Sequence, residues 1–213
     1  LFLNIGNRSP RALYGGRENA GVIDTEGGII IITSSIFHEK IETKSLPNGD
    51  KAVKLAFCNK FAISLGKSGR VYISQTTCSL KQIEFSEVKD LSGKTVVDIT
   101  GTYCHCFVVL NDGRVFGCGN NNYCKLGLPE GKDSIYSFIE IESLKNHKIV
   151  SAFAGTFHSI FKTSDGKMIV CGNNDYGQLF IPQKHVVYPP EEVNDFKGVT
   201  FCIAGSSVSA AFV

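Results

Sequence analysis

IVSAFAGTFHSIFKTSDGKMIVCGNNDYGQLFI, residues 149–181, decides how this chain of 213 residues is read, because its pattern is written twice. The earlier copy, VVDITGTYCHCFVVLNDGRVFGCGNNNYCKLGL, occupies residues 96–128. His105 and His158, Gly113 and Gly166, Cys118 and Cys171, Gly119 and Gly172, Asn120 and Asn173, Tyr123 and Tyr176, and Leu126 and Leu179 all lie 53 residues apart. One interval held at so many positions marks a repeated supersecondary unit, which buries its apolar faces only against its neighbours.

Anchoring on the turn glycine extends the pattern in both directions. Asn19 precedes Gly27, and Phe61 precedes Gly69, by the same eight residues that separate His105 from Gly113 and His158 from Gly166. Towards the C-terminus Gly205 aligns with Gly155, the counterpart of Gly101, and Ser209 aligns with Ser159. The inner segment therefore occurs five times, with its last copy ending before the turn. The turn glycines are spaced by 42, 44 and 53 residues, and the shorter intervals fall where the Gly-Asn-Asn run is missing.

Each copy reads as β-structure. Phe107–Leu110 and Ser159–Thr163 are rich in β-branched and aromatic residues, and each is followed by Asp-Gly, a hairpin signal that predicts a two-residue turn. The apolar patches at Ile83–Val88, Ile135–Ile141 and Val186–Tyr188 predict outer edge strands, with Pro129, Pro182, Pro189 and Pro190 in loops. Four strands per unit at this period is the arithmetic of a propeller blade. The expected fold is all-β: a partial β-propeller of about four blades, each a four-stranded antiparallel sheet. One repeat region spans 1–213, with degenerate units at 1–68 and 69–112, a clear repeat at 113–165 and a unit truncated at its C-terminal end at 166–213.

GRVFGCGNNNYCKLGL and GKMIVCGNNDYGQLFI, each preceded by a glycine and then a histidine, resemble the repeat of the regulator of chromosome condensation family. That resemblance implies a propeller, usually of seven blades. It also implies either guanine-nucleotide exchange on a small nuclear GTPase or service as a module in a larger ubiquitin-ligase or kinase chain. Cys124 stands where the family pattern has a glycine, at the slot of Gly177, and Phe180 stands where it has another. Kelch-type repeats fit less well, because they lean on tryptophan and this chain has none.

Bulk properties narrow the function classes. A net charge of +2, with Lys and Arg scattered, offers no basic stripe for phosphate backbones. The longest apolar runs are far below the roughly 20 residues of a spanning helix. The N-terminal LFLNIGNRSP does not read as a secretory signal, and the expected setting is cytoplasmic or nuclear. Lacking an initial Met and breaking off mid-repeat, the chain reads as part of a longer polypeptide. Eight cysteines in a chain long enough for a real core predict packing roles, not a disulfide framework, and the Asn7-Arg8-Ser9 sequon reads as accidental.

No residue set reads as an active centre. His105 and His158 fill one repeat slot, which points to structure, with each imidazole expected to bond backbone inside its own blade. Cys104-His105-Cys106 on a strand would aim His105 away from the two thiols, against a zinc site. Gly119-Asn120-Asn121 and Gly172-Asn173-Asn174 lack the helix start and lysine of a phosphate loop. Tyr123, Tyr176, Leu126 and Leu179 are expected to anchor that loop to the adjacent blade. The reading is a non-enzymatic protein-interaction scaffold without cofactor, metal or membrane contact, with guanine-nucleotide exchange on a small GTPase as the alternative.

Overall fold

Asp112-Gly113 and Asp165-Gly166 do turn the chain, but with one residue more than expected. The Leu110 N–H donates to Arg114 O (2.9 Å) and the Gly113 N–H to Leu110 O (3.0 Å), and Thr163, Gly166 and Lys167 repeat the arrangement. These are three-residue loops: a turn followed by a glycine at positive φ, 93° at Gly113 and 79° at Gly166. The glycine also lets the next blade approach. A Cβ on Gly113 would stand 2.9 Å from Lys148 Cγ and 3.0 Å from its Cα, and one on Gly166 would stand 3.2 Å from Gly198 Cα. The carbonyls of the same two glycines accept the N–H groups of Ile149 (3.3 Å) and Val199 (3.1 Å), so the turn pins the start of the following sheet.

The computed structural model describes residues 9–15, 19–34, 39–58, 61–75, 84–182, 184–194 and 198–213. Asn7 and Arg8 of the sequon, Cys78, and Ile83 of the first expected edge strand lie outside those residues. The described residues are all-β apart from short 3-10 turns such as Asn122–Cys124 and Glu142–Leu144. They form two compact units, residues 1–94 and 95–213.

The first unit holds two antiparallel meanders. One is β1 (Pro10–Gly15), β2 (Asn19–Asp24), β3 (Ile29–Ser34) and β4 (Glu39–Lys44); the other is β5 (Ala52–Phe57), β6 (Phe61–Gly66), β7 (Val71–Gln75) and β8 (Ser86–Glu87). Ile23, Ile29 and Ile31 of the first pack against Leu55, Phe57, Ala62 and Tyr72 of the second.

The second unit repeats the plan. Its sheets are β9 (Val96–Gly101), β10 (His105–Leu110), β11 (Val115–Asn120) and β12 (Ser134–Glu140), then β13 (Ile149–Ala154), β14 (His158–Thr163), β15 (Met168–Asn173) and β16 (Val186–Glu192). A two-stranded sheet of β17 (Phe201–Ala204) and β18 (Ser209–Phe212) follows. Phe107, Val109 and Val115 meet Ile149, Ala152, Phe161 and Ile169 between the first two sheets. Ile160, Met168 and Val170, on the other face of the middle sheet, meet Val199 and Cys202. Because β14 is covered on both faces, Ile160 and Phe161 are equally buried, and burial along the strand does not alternate. Each such side chain contributes about 1.5–3 kcal/mol.

The expected outer strands are present, with one correction. Pro189 and Pro190 lie inside β16, not in a loop. They are tolerated because β16 is the outermost strand of its sheet and its pairing shifts register there, from Gly172↔Val187 to Val170↔Glu191, leaving the prolines at a bulge where no ladder donor is needed.

Candidate functional site

Apart from the turn glycines Gly113 and Gly166 at the opposite end, the repeated residues of the second unit gather at one end of its sheets. His105 opens β10 opposite Gly119 near the end of β11, and His158 opens β14 opposite Gly172 near the end of β15. Both imidazoles are fully buried. Instead of bonding backbone within its own blade, each reaches a serine in the next sheet: His105 Nε2 lies 3.0 Å from Ser159 Oγ, and His158 Nε2 lies 2.7 Å from Ser209 Oγ. Ser159 Oγ donates to Lys125 O (2.7 Å), so its lone pair is what His105 Nε2–H meets, and that fixes the tautomer. The serine slot of one repeat thus serves the histidine slot of the previous one.

Burial holds both imidazoles well below their usual range, His158 at about 4; the Lys125 ammonium and His158 act in the same direction on His105. They are neutral at physiological pH. Gly155 makes room for the second ring, because a Cβ there would stand 2.3 Å from His158 Cε1 and 2.6 Å from Nδ1. Gly205 fills the corresponding turn before β18, where its N–H bonds Val208 O at 2.8 Å, and Gly101 closes β9 opposite Cys106.

The asparagine runs shape the loops that leave β11 and β15. Asn121 Oδ1 accepts the Leu126 N–H (3.0 Å) while its Nδ2 donates to the carbonyls of Leu128 and Pro129. Asn174 does the same with the Leu179 N–H (2.8 Å) and the carbonyls of Ile181 and Lys184. Asn120 and Asn173 close a smaller turn on Asn122 and Asp175. Leu126 and Leu179 are fully buried and do anchor these loops, but the tyrosines do not: Tyr123 is 47% and Tyr176 78% exposed. Tyr123 sits at φ 63°, which throws its ring outward, edge-on to Phe157 at 5.8 Å. Gly177 (φ 74°) and Cys124 (φ 58°) share a left-handed slot, as do Gly127 (φ 73°) and Phe180 (φ 58°).

Two buried polar residues had no signal in the pattern. Lys125, only 2% exposed, fills the slot that Gln178 fills 53 residues later; its Nζ donates to Cys104 Sγ at 3.1 Å. Asp98 is buried on β9 and accepts the Ala152 N–H of β13 at 3.2 Å. Cys118 and Cys171 lie inside β11 and β15, and burial pushes the Cys171 thiol up.

A pocket of about 320 Å³ beside the β15–β16 loop is lined by Asn174, Asp175, Ile181, Pro182, Lys184 and His185. There His185 Nδ1 lies 2.8 Å from Asp175 Oδ1, and the Asp175 carboxyl is held below its usual range by Asn173 first and His185 second. Among the described residues no hydroxyl or thiol lines this pocket. Among the described residues no group of three or more His, Cys, Asp or Glu side chains is placed to share a metal ion, and no helix is long and apolar enough to cross a membrane.

Successive four-stranded antiparallel meanders, linked in the second unit by a repeated histidine–serine bond, define a protein of propeller blades: a partial β-propeller. Over residues 96–178 those blades match the models of the regulator of chromosome condensation repeat family, at residues 112–161 and at residues 96–123 and 149–178. Among curated proteins, the chain is 30% identical over 135 residues to a probable E3 ubiquitin-protein ligase, HERC4, of Rattus norvegicus, covering 62% of this chain and 13% of that protein. It is 36% identical over 84 residues to the secretion-regulating guanine nucleotide exchange factor of Bos taurus, covering 39% of this chain and 18% of the relative. The chain therefore spans less than a quarter of either relative. Human WBSCR16 shares the fold with a TM-score of 0.81 at 14% identity, over 99% of this chain and 59% of that one. Prp20p of Saccharomyces cerevisiae shares it with a TM-score of 0.60 at 17% identity, over 94% and 68%.

Proposed function

We propose that the chain is a non-enzymatic protein-interaction scaffold, working in the cytoplasm or nucleus. One observation carries the reading: the interior histidines, asparagines and Lys125 are committed to holding blades together, while one rim of the second unit presents aromatic side chains to solvent. Tyr103 lies in the β9–β10 turn, Phe157 in the β13–β14 turn, and Tyr123 and Tyr176 in the loops after β11 and β15; all are at least 37% exposed. Exposed Tyr and Phe on rigid loops supply large contact area with few rotors to freeze, which is what protein interfaces use. The similarity to a ubiquitin ligase over 13% of its length supports a module that serves a larger chain.

Photo-crosslinking from position 103 or 176, on the same rim, is the test. A saturable heterologous adduct, lost on Tyr123→Ala/Phe157→Ala in a protein of unchanged melting behaviour, is expected; absence of any adduct, together with turnover of a small molecule, would overturn the proposal.

A second reading, guanine-nucleotide exchange, is supported by the secretion-regulating exchange factor among the relatives and by the reported binding of Prp20p to Gsp1p. The two separate on one measurement. A scaffold leaves the release of labelled GDP from small GTPases unchanged, and an exchange factor accelerates it.

A further inference from the structure

Cys106 and Cys118 are direct partners across the β10–β11 ladder, and their Sγ atoms stand 3.2 Å apart. Directly opposed residues of an antiparallel pair have Cα atoms about 4.5–5.5 Å apart, inside the roughly 4.4–6.8 Å that a disulfide spans. The two sulfurs are therefore positioned to bond with a small side-chain adjustment and no change of strand register. Among the described residues no cysteine is in a disulfide, and these two thiols are in contact.

Repeat packing accounts for one of these thiols but not for the pair. Cys118 occupies the slot of Cys171, but the residue across from Cys171 is Ser159, which receives the His105 ring. In the first unit the same two slots hold Ala62 and Ser74, again as register partners. Among the described residues only the β10–β11 hairpin sets two thiols face to face, by placing cysteine where the next blade uses its structural serine.

We propose that Cys106 and Cys118 form an oxidisable cross-strand dithiol, a modification site for hydrogen peroxide. Cys118, 6% exposed against 0% for Cys106, meets the oxidant first. Its sulfur attacks one peroxide oxygen, the O–O bond breaks, and a sulfenic acid and one water result. The Cys106 sulfur then displaces the hydroxyl, which leaves as a second water with the remaining thiol proton. Two thiols and one peroxide give one disulfide and two waters; the thiols lose two electrons and the peroxide gains them. The bond ties β10 to β11 just below the loops carrying Tyr103 and Tyr123.

The test treats the folded protein with excess hydrogen peroxide, then unfolds it and alkylates free thiols. The expected product carries two alkyl groups fewer than reduced protein treated in the same way, takes them up when dithiothreitol precedes the alkylation, and joins tryptic peptides 95–114 and 115–125. Fragmentation must place the bond at Cys106 and Cys118, since Cys104 and Cys124 lie on the same two peptides. The link should persist in the Cys104→Ala/Cys124→Ala protein and vanish in Cys106→Ser, a change that installs the residue the next blade carries in this slot. Recovery of Cys106 and Cys118 as alkylated thiols from folded, peroxide-treated protein, or a bond from either of them to another cysteine, overturns the assignment.

Discussion

A glycine at positive φ is the smallest element on which this fold depends. Gly166 combines φ 79° with the approach of Gly198 and a carbonyl that holds Val199, so a branched side chain there meets strain and crowding together. Gly166→Val is expected to lower stability by at least about 1–2 kcal/mol, the penalty of a left-handed conformation for an L-residue; a urea melt superimposable on the parent would refute this. Phe180 presents the reverse case, a bulky side chain held at φ 58° in a slot where the earlier copy has Gly127. Replacing it removes packing as well as strain, so the informative comparison is between two truncations. Phe180→Gly should be more stable than Phe180→Ala by about 1 kcal/mol, because both lose the ring and only glycine relaxes the backbone. Equal melts would mean that the conformation carries no strain.

At the scale of the sheets, the bond that matters joins neighbours. His105–Ser159 and His158–Ser209 are rungs between successive sheets, buried and neutral, and this makes blade packing sensitive to acid. The unfolded chain takes up a proton on histidine near 6.5, whereas folded His158 does so only at about 4. Between those values the unfolded state carries more protons, so stability falls as pH drops through the window and is fully present above 6.5. At about 1.4 kcal/mol per pH unit the loss for His158 reaches about 3 kcal/mol. Denaturant midpoints followed from neutral pH into this window should decline more steeply for the parent than for His158→Gln; parallel profiles would show that the ring is not held neutral by the fold.

On the scale of the whole second unit, coverage is uneven. The sheets β9–β12 and β13–β16 bury their facing surfaces, but the last sheet has only β17 and β18, with Phe201, Ile203, Phe212 and Val213 each at least half exposed. Two strands with apolar exposure and an open row of backbone donors and acceptors form a template for another chain. A protein consisting of residues 1–213 alone is therefore expected to self-associate as its concentration rises, and sedimentation showing a monodisperse monomer would contradict this.

Much of this architecture was legible in the chain as written. The interval of 53 residues, the apolar segments and the Asp-Gly turns located the strands, because steric limits on φ and the matching of side chains to a pleated surface act between near neighbours. What each repeated side chain touches was not legible. His105 finds Ser159, Asp98 finds the Ala152 N–H, and Lys125 is buried against Cys104, all through partners 21 to 54 residues away. Pro189 and Pro190 entered a strand because only the finished sheet shows which edge needs no donor, and Tyr176 turned outward because the loop's bonds come from its asparagines and Leu179. Local stereochemistry, carried by the sequence itself, determined that this protein is built of antiparallel blade-like sheets, four of them four-stranded among the described residues. Which polar groups are hidden together, and which thiols face one another, was decided only when the sheets stacked, since hydrogen bonds and burial between distant segments depend on register and on which face each neighbour covers.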